Sequence, residues 1–252
     1  MACISDGSES ILHSRIEDTI RLCDKRGVPC FLGFLDLREQ AIAEEYLPTR
    51  APQWAWFGGY DEAERRLLAV YPDYLVPTEE DYPLSVIGFR YRNIREITHR
   101  DVLGTLMAAG IRRDKIGDIL CGEGLSVVFV REEMAAFVSE QIDRIGGEGV
   151  TVIPDYTGEL PILHEYQELK DTIASPRLDA VVKSLVRLSR EKAAELIRLG
   201  SVSVNHRPAV SVSTPLTAPC TVSIRGFGRY LIDAIGPETK KGRLLLHARK
   251  CL

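Results

Sequence analysis

The sequence predicts an α+β protein in three parts: a small N-terminal α/β domain, a middle domain with the element order β-α-β-β-α-β, and a C-terminal module of two helices and a small sheet. Three observations predict this organisation. Helical periodicity alternates with short apolar runs up to residue 153, prolines and acidic residues interrupt the pattern near Pro77, and the charge changes sign near Ser175. We therefore expect domains over 1–78, 79–160 and 175–252, with a linker over 161–174.

The N-terminal pattern is typical of a small α/β unit. Leu12, Ile16 and Ile20 lie at helical spacing, and Gly27 follows them as a helix stop. The later segments are either short and apolar, as in buried strands, or amphipathic. We expect, in order, a helix over 8–26, a strand over Cys30–Leu35, a helix over Leu37–Tyr46, a strand over Trp54–Phe57 and a helix over Glu62–Val70.

The middle domain alternates regularly. We expect, in order, a strand over Leu84–Tyr91, a helix over Arg100–Ala109, strands over Gly117–Cys121 and Leu125–Val130, a helix over Glu132–Ile145 and a strand over Val150–Ile153. This split βαβ order is shared by ferredoxin-like folds and by RNA-recognition modules, which stack bases on exposed rings. The expected ring position offers Phe129, with Phe89 or Tyr91 as substitutes. Because one ring is weak support, we favour a structural sheet.

Length and composition limit the class of protein. A chain of 252 residues with 45% hydrophobic content can bury a core in each domain. No run approaches the roughly 20 apolar residues of a membrane span, and the N-terminus lacks a secretory pattern, so we expect a cytoplasmic protein without membrane contact. The six cysteines and five histidines are dispersed, which predicts reduced thiols, no metal site and no cofactor. No site for a small-molecule substrate is evident.

The charge distribution is the most informative feature of the chain. Residues 175–252 contain 14 Lys or Arg and 5 Asp or Glu, a net charge of +9, whereas the remaining residues carry −13, within a total of −4. A concentrated cationic module on an acidic body is typical of a protein that binds a polyanion through one end. The sequence therefore indicates polyanion binding by the C-terminal module.

Two helices and a small sheet are expected in this module. Ser175 is the predicted N-cap of the first helix, with Pro176 in its first turn. Ser189 is the predicted N-cap of the second helix, which ends at Gly200. Apolar positions recur at helical spacing in both, so the helices should pack together. Period-two alternation then predicts strands over Val202–Val204, Thr221–Ile224 and Tyr230–Ile232.

Candidate phosphate-binding residues are concentrated here. A helix N-terminus presents unpaired N–H groups and a positive dipole, so Ser189 and Arg190 stand where a phosphate is stabilised. A later basic group, from Arg225 to Arg243, surrounds glycines that allow close approach by a partner. We nominate Arg190 first, and in full Arg177, Lys183, Arg187, Ser189, Arg190, Lys192, Arg198, Asn205, Arg225, Arg229, Lys240, Lys241 and Arg243.

The nominated residues and their neighbours in the module also have structural interpretations. A single Lys or Arg on a helix often belongs to a solvated face. We favour Asp179 as a structural residue that either orients Arg177 or caps a turn, rather than as a contact with an anionic partner, and Asn205 as a support for its turn. Phe227 can stack on a base or fill the core, and we favour the core. The cluster therefore carries the prediction more than any one residue does.

The catalytic signatures that we considered fail, and we predict no catalytic residues. The His99–Asp101 segment is similar to a kinase catalytic loop, but Leu106 stands where a metal-binding Asn belongs. The Gly58–Tyr60 segment lacks the further glycines and the lysine of a nucleotide-binding loop. An RNA-modifying enzyme with an unfamiliar N-terminal site remains an alternative, for which the available ionisable groups are Asp101, His99 and Glu64.

Several strings resemble known families. The run RLDAVVKSLVRLSREKAAELIRLGSVSVN resembles the RNA-binding module named after ribosomal small-subunit protein S-four, in which R-L-D opens the first helix, S-R opens the second, and G-x-V-x-V-N leads into the sheet. The match continues with SIRGFGR, TKKGR, FGGYDEAERR and HRDVLGTLMAAGIRRDKIGDI. With these strings the chain resembles the bacterial YlmH family over most of its length.

The resemblance implies a function that composition and spacing do not give. It implies a noncatalytic RNA-binding protein that docks rRNA, with tRNA as a further candidate, on the ribosomal large subunit. Its task would be quality control or rescue of stalled translation. A cell-division-associated protein-interaction module remains an alternative for the acidic N-terminal body.

Overall fold

The computed structural model describes residues 5–47, 53–92, 97–161, 166–209 and 211–251. Helices and sheets are mixed along the chain, which confirms the α+β class. The chain divides into two compact units, Met1–Leu163 and His164–Leu252, called unit 1 and unit 2 below. No helix within the described ranges is long and apolar enough to cross a membrane.

The first half of unit 1 is a three-stranded antiparallel sheet with two helices on one face. Its elements are α1 Ser5–Arg26, β1 Cys30–Leu35, α2 Leu37–Tyr46, β2 Gln53–Phe57 and β3 Arg66–Tyr71, with the strand order β1-β3-β2. Gly27 ends α1 at a φ of +66°, as expected of a helix stop. Asp36 caps α2, because its carboxylate accepts hydrogen bonds from the backbone N–H groups of Arg38 and Glu39.

The helix expected over Glu62–Val70 is wrong, because this segment contains the central strand β3. Leu68 and Val70 face the two helices, whereas Leu67 and Ala69 face the opposite side, and all four residues are fully buried. A strand that is buried on both faces is apolar at every position and shows no period of two. Its sequence therefore does not distinguish it from a buried helix.

The second half of unit 1 has the expected split βαβ topology. Its elements are β4 Leu84–Arg90, α3 His99–Ala108, β5 Ile116–Gly122, β6 Leu125–Arg131, α4 Ala135–Gln141, β7 Arg144–Ile145, β8 Glu148–Gly149 and β9 Thr151–Ile153. The four-stranded sheet is antiparallel, with the order β5-β6-β4-β9. Both α3 and α4 pack on one face of it, around Ile87, Phe89 and Val128.

The helix expected over Glu132–Ile145 is too long. Glu132–Met134 form a single 3₁₀ turn, α4 ends at Gln141, and β7 pairs with β8 in a short hairpin. The turn of this hairpin contains Gly146 and Gly147, at φ values of +57° and +90° that side chains rarely adopt. The two glycines therefore favour a hairpin where apolar spacing alone indicates helix.

The two sheets of unit 1 pack face to face. Phe34 and Leu67 of the first sheet share one buried cluster with Val127 and Phe129 of the second. The face of the second sheet that is turned away from α3 and α4 is thereby covered. Gly59 permits this close packing, because a Cβ at its position would lie 2.3 Å from the Phe129 ring.

Unit 2 is a six-stranded antiparallel sheet with two helices on one face. Its elements are β10 Tyr166–Ile173, α5 Leu178–Val186, α6 Arg190–Arg198, β11 Val202–Val204, β12 Arg207–Pro208, β13 Cys220–Ile224, β14 Gly228–Glu238 and β15 Leu244–Cys251. The strand order is β10-β15-β14-β13-β11-β12. The apolar faces of α5 and α6 pack on Val222, Tyr230 and Leu246 of the sheet.

The segment 161–174, expected to be a linker, contains the strand β10, which pairs with β15 along its whole length. Residues 162–165 of this segment lie outside the described residues. Leu169 and Ile173 pack on the core of unit 2, whereas Glu168 and Lys170 alternate with them on the other face. This is the pattern of an edge strand with one polar face, and the charged residues conceal it in the sequence.

Helix α5 begins at Leu178 rather than at the predicted cap Ser175, and Arg177 occupies its N-cap position. The N–H groups of Leu178 and Asp179 donate to backbone carbonyls of residues 212–214. These groups at the helix N-terminus therefore need no side-chain cap. Backbone carbonyls of residues 212–214 therefore accept the hydrogen bonds that the Ser175 side chain was expected to accept.

Candidate nucleic-acid interface

The N-termini of α5 and α6 meet at the carboxylate of Asp179, which is 4% exposed. Arg177 donates to it from Nε at 3.2 Å and from Nη2 at 3.3 Å, and Arg190 donates from Nε at 2.9 Å. One buried carboxylate thus fixes two guanidinium groups that come from different helices. This confirms the structural role expected for Asp179 beside Arg177 and adds Arg190 to the same cluster. We call these three residues the Asp179 cluster.

The Asp179 cluster presents positive charge outward. Burial raises the pKa of the Asp179 carboxyl, but the hydrogen bonds from Arg190 and Arg177 outweigh burial and hold that pKa below its ordinary value. One carboxylate therefore faces two guanidinium groups, and a net positive charge remains. The side chains of Arg177 and Arg190 are 42% and 58% exposed, so both guanidinium groups are accessible from solvent.

The two helix N-termini add to this positive potential. Arg177 is the N-cap residue of α5, and Arg190 is the first residue of α6. Cations at a helix N-terminus oppose the helix dipole and disfavour the helix itself. Arginines at two adjacent N-termini are consistent with a site that binds an anion. Ser189 caps α6 as predicted, because its Oγ accepts from the backbone N–H of Lys192 at 3.3 Å.

Three further candidates lie on the outer faces of the two helices. Lys183 on α5, and Lys192 and Arg198 on α6, are exposed, whereas the inner faces of these helices, with Leu185 and Ile197, belong to the core of unit 2. Their side chains extend the positive surface beyond the Asp179 cluster. Their contact with RNA stays a prediction.

Arg187 and Arg243 lie near Asp171, on the edge strand β10. The hydrogen bond from Ser184 lowers the pKa of Asp171, with smaller contributions from the charges of Arg243 and Arg187. Arg243 also donates from Nε to Oγ1 of Thr172 at 2.9 Å. These two arginines therefore interact within unit 2, and the contacts of Arg243 join β10 to the turn between β14 and β15.

The basic residues from Arg225 to Arg243, expected to form one group, lie in two separate places. Arg225 and Arg229 lie at the turn between β13 and β14, whereas Lys240 and Lys241 lie at the turn between β14 and β15. Because β14 has 11 residues, the two turns are roughly 30 Å apart at about 3.3 Å per residue. The expectation of one group is therefore wrong, since a hairpin strand places its two turns at opposite ends.

Asn205 and Phe227 have structural contacts. Asn205 adopts a φ of +47°, and its Oδ1 accepts from the backbone N–H of Thr221 at 2.9 Å. Phe227 is partly buried against the core of unit 2. These contacts confirm the turn-supporting role of Asn205 and the core position of Phe227. Contact between Asn205 and RNA stays a prediction.

The aromatic candidates of the split βαβ sheet are buried. Phe129 is 1% exposed, Phe89 is 0% exposed and Tyr91 is 7% exposed. Phe129 packs under the N-terminal sheet with its ring centroid 5.0 Å from that of Tyr60, and Phe89 faces α3 and α4. RNA-recognition modules need exposed rings to stack on bases. None of these three rings is therefore available for base stacking, and the structural interpretation of the sheet stays a prediction.

The ionisable groups considered for catalysis in unit 1 have structural surroundings. Asp101 caps α3 by accepting from the N–H of Thr98 at 3.0 Å and from its Oγ1 at 2.7 Å. Glu64 lies in the turn that Asp118 holds, where its N–H donates to the Asp118 carboxylate at 2.7 Å. Desolvation and the charge of Arg113 lower the pKa of the His99 imidazole. Within the described residues no group of three His, Cys, Asp or Glu could hold a metal ion.

Asp118 is the centre of a polar cluster that the sequence analysis missed. It is 9% exposed and accepts from the Tyr60 hydroxyl at 2.6 Å, the Glu64 N–H at 2.7 Å and the Arg65 N–H at 3.0 Å. The guanidinium of Arg65 also donates from Nε to the carbonyl of Ile116 at 3.0 Å. These bonds join the segment between β2 and β3 of the first sheet, which contains Gly58 and Gly59, to β5 of the second sheet. One signal in the sequence could have pointed to this cluster. Tyr60, Glu64 and Arg65 lie in FGGYDEAERR and Asp118 lies in KIGDI, and both strings resemble the same family.

These features define the class of protein: an α+β chain whose C-terminal unit is an RNA-binding module of two helices on a sheet. The family model described as "S4 domain" matches residues 176–220. The model described as "Putative RNA-binding domain in YlmH" matches residues 77–157. The buried rings of the latter region exclude the base stacking of an RNA-recognition module on its sheet.

Similarity to a characterised relative identifies the family of this chain. The Bacillus subtilis (strain 168) protein named ribosome-associated protein quality control protein P2 is 36% identical over 212 residues, which cover 83% of this chain and 82% of that protein. The chain therefore belongs to the YlmH family, and the resemblance found in the sequence is confirmed. The structure of a cell division protein ylmH from Streptococcus pneumoniae has a TM-score of 0.51 and 22% identity, and covers 61% of this chain and 93% of that one. At that identity the likeness supports the fold alone.

Proposed function

We propose that this chain is a noncatalytic RNA-binding protein that docks on rRNA of the ribosomal large subunit and acts in quality control or rescue of stalled translation. The observation that carries the proposal is the Asp179 cluster, in which a buried carboxylate orients two exposed arginines at two helix N-termini. Contact with tRNA through the same unit and a cytoplasmic location are parts of the proposal.

The Asp179 cluster suits phosphate for physical reasons. A guanidinium donates two parallel hydrogen bonds to a phosphate, and this geometry requires that its plane be oriented. Asp179 supplies the orientation for Arg177 and Arg190, and the exposed cations on α5 and α6 extend the attractive field along the module. The net −13 of residues 1–174 repels RNA, so the field directs RNA toward the net +9 of residues 175–252.

The ribosomal part of the proposal draws on similarity. The name of the Bacillus subtilis relative states association with the ribosome and protein quality control. The noncatalytic part is supported by the structural roles of Asp101 and of the turn that contains Glu64. An acidic N-terminal body would also suit a basic protein partner, the alternative that a pull-down after nuclease treatment would detect.

Co-sedimentation with purified large subunits tests the proposal. If about six phosphates are contacted, the affinity falls with salt along a log–log slope of about −4 to −5. The variant Arg177→Ala/Arg190→Ala is expected to lose binding. The control variant Lys25→Ala/Arg26→Ala removes the same charge from the exposed end of α1 and is expected to retain binding.

Loss of folding must be kept apart from loss of binding, because removal of either arginine takes a partner from Asp179. Far-UV circular dichroism of each variant provides this separation. A flat salt response, or full binding by the folded double variant, would contradict docking through the Asp179 cluster. Measured turnover on rRNA or tRNA would contradict the noncatalytic assignment.

A further inference from the structure

The strand β2 forms an unprotected edge of the first sheet of unit 1. Within the described residues β3 is the only strand that pairs with it, in unbroken register from Gln53 opposite Tyr71 to Phe57 opposite Leu67. Alternate residues of an edge strand direct their N–H and C=O groups away from the sheet. Natural edge strands are commonly blocked by charged side chains, proline or a bulge, and β2, with the sequence QWAWF, contains none of these. Its backbone can therefore pair with a further strand.

The opposite edge of the same sheet, β1, is less suited to pairing. Its register with β3 is irregular between Leu32 and Leu35. The carbonyl of Phe34, inside this irregular segment, accepts a hydrogen bond from Nη2 of Arg65 at 2.9 Å. An irregular edge is a poor template for a further strand. Strand addition to the first sheet is therefore favoured at β2.

The side chains of β2 are aromatic and incompletely covered. Trp54 and Trp56 contact the cluster under α1 and α2, whereas Ala55 and Phe57 contact the cluster between the two sheets, and all four are partly exposed. The Nε1 group of Trp56 is buried, and the part of the chain that the structure describes provides no acceptor for it. Buried donors without an acceptor are rare. A strand added to β2 would cover both faces further and bring backbone carbonyls to the edge beside Trp56.

The surroundings of β2 are acidic. The stretch 67–89, from β3 to β4, contains four acidic residues and no Lys or Arg. Tyr82 of this stretch contacts Phe57 of β2, with ring centroids 5.2 Å apart, so that three of the four lie in the turn next to this contact. All four are exposed, and none of them belongs to an ion pair among the described residues. They are Asp73, Glu79, Glu80 and Asp81.

We propose that β2 accepts an extended, Lys- and Arg-rich segment of a partner protein as an additional strand of the first sheet. Backbone hydrogen bonds along β2 supply affinity, and the acidic residues beside it select basic side chains. A second copy of this chain fits less well, because pairing of two β2 edges would bring two acidic surroundings together. The inference concerns unit 1 and goes beyond the proposed function, because it does not depend on RNA binding by unit 2.

Tryptophan fluorescence of the full chain provides the assay. Both tryptophans of the protein lie in β2, so their emission reports on this strand. The probe is a synthetic ten-residue peptide of alternating Lys and Val, and a saturable change in emission is expected. The same peptide with every backbone nitrogen methylated keeps its charge but cannot donate backbone hydrogen bonds. Its affinity should be at least about 10-fold lower.

Substitutions on the protein test the edge and its charge separately. Glu79→Gln/Glu80→Gln removes two exposed charges and should weaken peptide binding by about 2- to 30-fold. The control Glu132→Gln/Glu140→Gln removes the same charge near α4, on the far face of the second sheet, and should leave binding unchanged. Gln53→Lys places a blocking cation at an exposed position of β2 and should weaken binding, with circular dichroism as the check on folding.

Three results would overturn the inference. The first is the absence of any emission change up to about 1 mM of the Lys-Val peptide. The second is equal binding of the methylated peptide, which would reduce the interaction to charge attraction. The third is a dimer in sedimentation velocity without peptide that Gln53→Lys dissociates, which would assign the β2 edge to a second copy. Docking through the Asp179 cluster is tested separately by co-sedimentation with large subunits, so either proposal can fail alone.

Discussion

Replacement of Asp179 by Asn tests the architecture of the Asp179 cluster most directly. Asparagine keeps the shape of the side chain but removes the charge that fixes Arg177 and Arg190. A hydrogen bond to a buried charged group contributes about 1.5–3 kcal/mol, which solvent screening of two half-exposed arginines reduces to about 1 kcal/mol for each. We therefore expect Asp179→Asn to lower the free energy of unfolding of unit 2 by about 2 kcal/mol.

Urea denaturation followed by circular dichroism measures this loss. In a double-mutant cycle, Arg190→Ala should cost about 1 kcal/mol less in the Asp179→Asn background than in the wild type. The control is Glu191→Gln, which removes a neighbouring but exposed carboxylate from the first turn of α6 and should cost about 0.5 kcal/mol.

The pH dependence provides a second measure of the same change. The pKa of Asp179 lies below its ordinary value in the folded protein, so its stabilisation is present above the unfolded pKa of about 3.9 and is lost as pH falls through the folded value. The difference between wild type and Asp179→Asn should therefore shrink in acid below about pH 4. Zero coupling to Arg190, together with a difference that is constant from neutral to acid pH, would refute the reasoning.

Three further predictions concern folding and the separation of structure from RNA contact. Phe129→Ala should lower the free energy of unfolding of unit 1 by about 3–5 kcal/mol in urea titrations, and a loss below about 1 kcal/mol would contradict its burial between the sheets. Tyr60→Phe deletes the 2.6 Å hydrogen bond to Asp118 and should cost about 1.5–3 kcal/mol while large-subunit binding is retained. Asn205→Ala removes the acceptor of the Thr221 N–H and should cost about 1–2 kcal/mol; if the folded variant lost sedimentation with large subunits, Asn205 would contact RNA directly.

Elements with strong local signals could be predicted from the sequence. The separate elements of the split βαβ order, the Gly27 stop and the Ser189 cap each have a signal within one element or one turn, and the structure has the order, the stop and the cap. β3 and β10 could not be predicted, because one strand is buried on both faces and the other is a charged edge strand. In both cases the neighbouring strands determine which side chains are buried.

The candidate site could be predicted in its parts but not in its arrangement. The N-terminus of the second helix nominates Arg190, and the structure adds that Asp179, 11 residues earlier, bonds both Arg190 and Arg177. The turns at Arg225 and Lys240 are separated because β14 is much longer than the predicted strand over Tyr230–Ile232. Gly236, Pro237 and two irregularities of register interrupt its alternation, so the sequence pattern ends before the strand does.

The Asp118 cluster illustrates a limit of reasoning from short strings. Tyr60 and Asp118 are 58 residues apart, and neither lies in a pattern that marks a buried carboxylate. Only the packing of the two sheets of unit 1 brings the segment between β2 and β3 within reach of β5. The bonds to Asp118 depend on the completed fold, and a local pattern does not contain that information.

The N-terminal sheet lies over Val127 and Phe129 of the second sheet. The smallest segment of unit 1 that we expect to fold by itself is therefore longer than residues 77–157, which the YlmH RNA-binding model matches. A segment cut at residues 77–157 would keep α3, α4 and the four-stranded sheet but would leave the covered apolar face bare. Such a face promotes self-association in water. Gene fusions or truncations that separate the two sheets should therefore yield aggregating products, whereas a cut between the two units, near residue 163, keeps both sheets of unit 1 together.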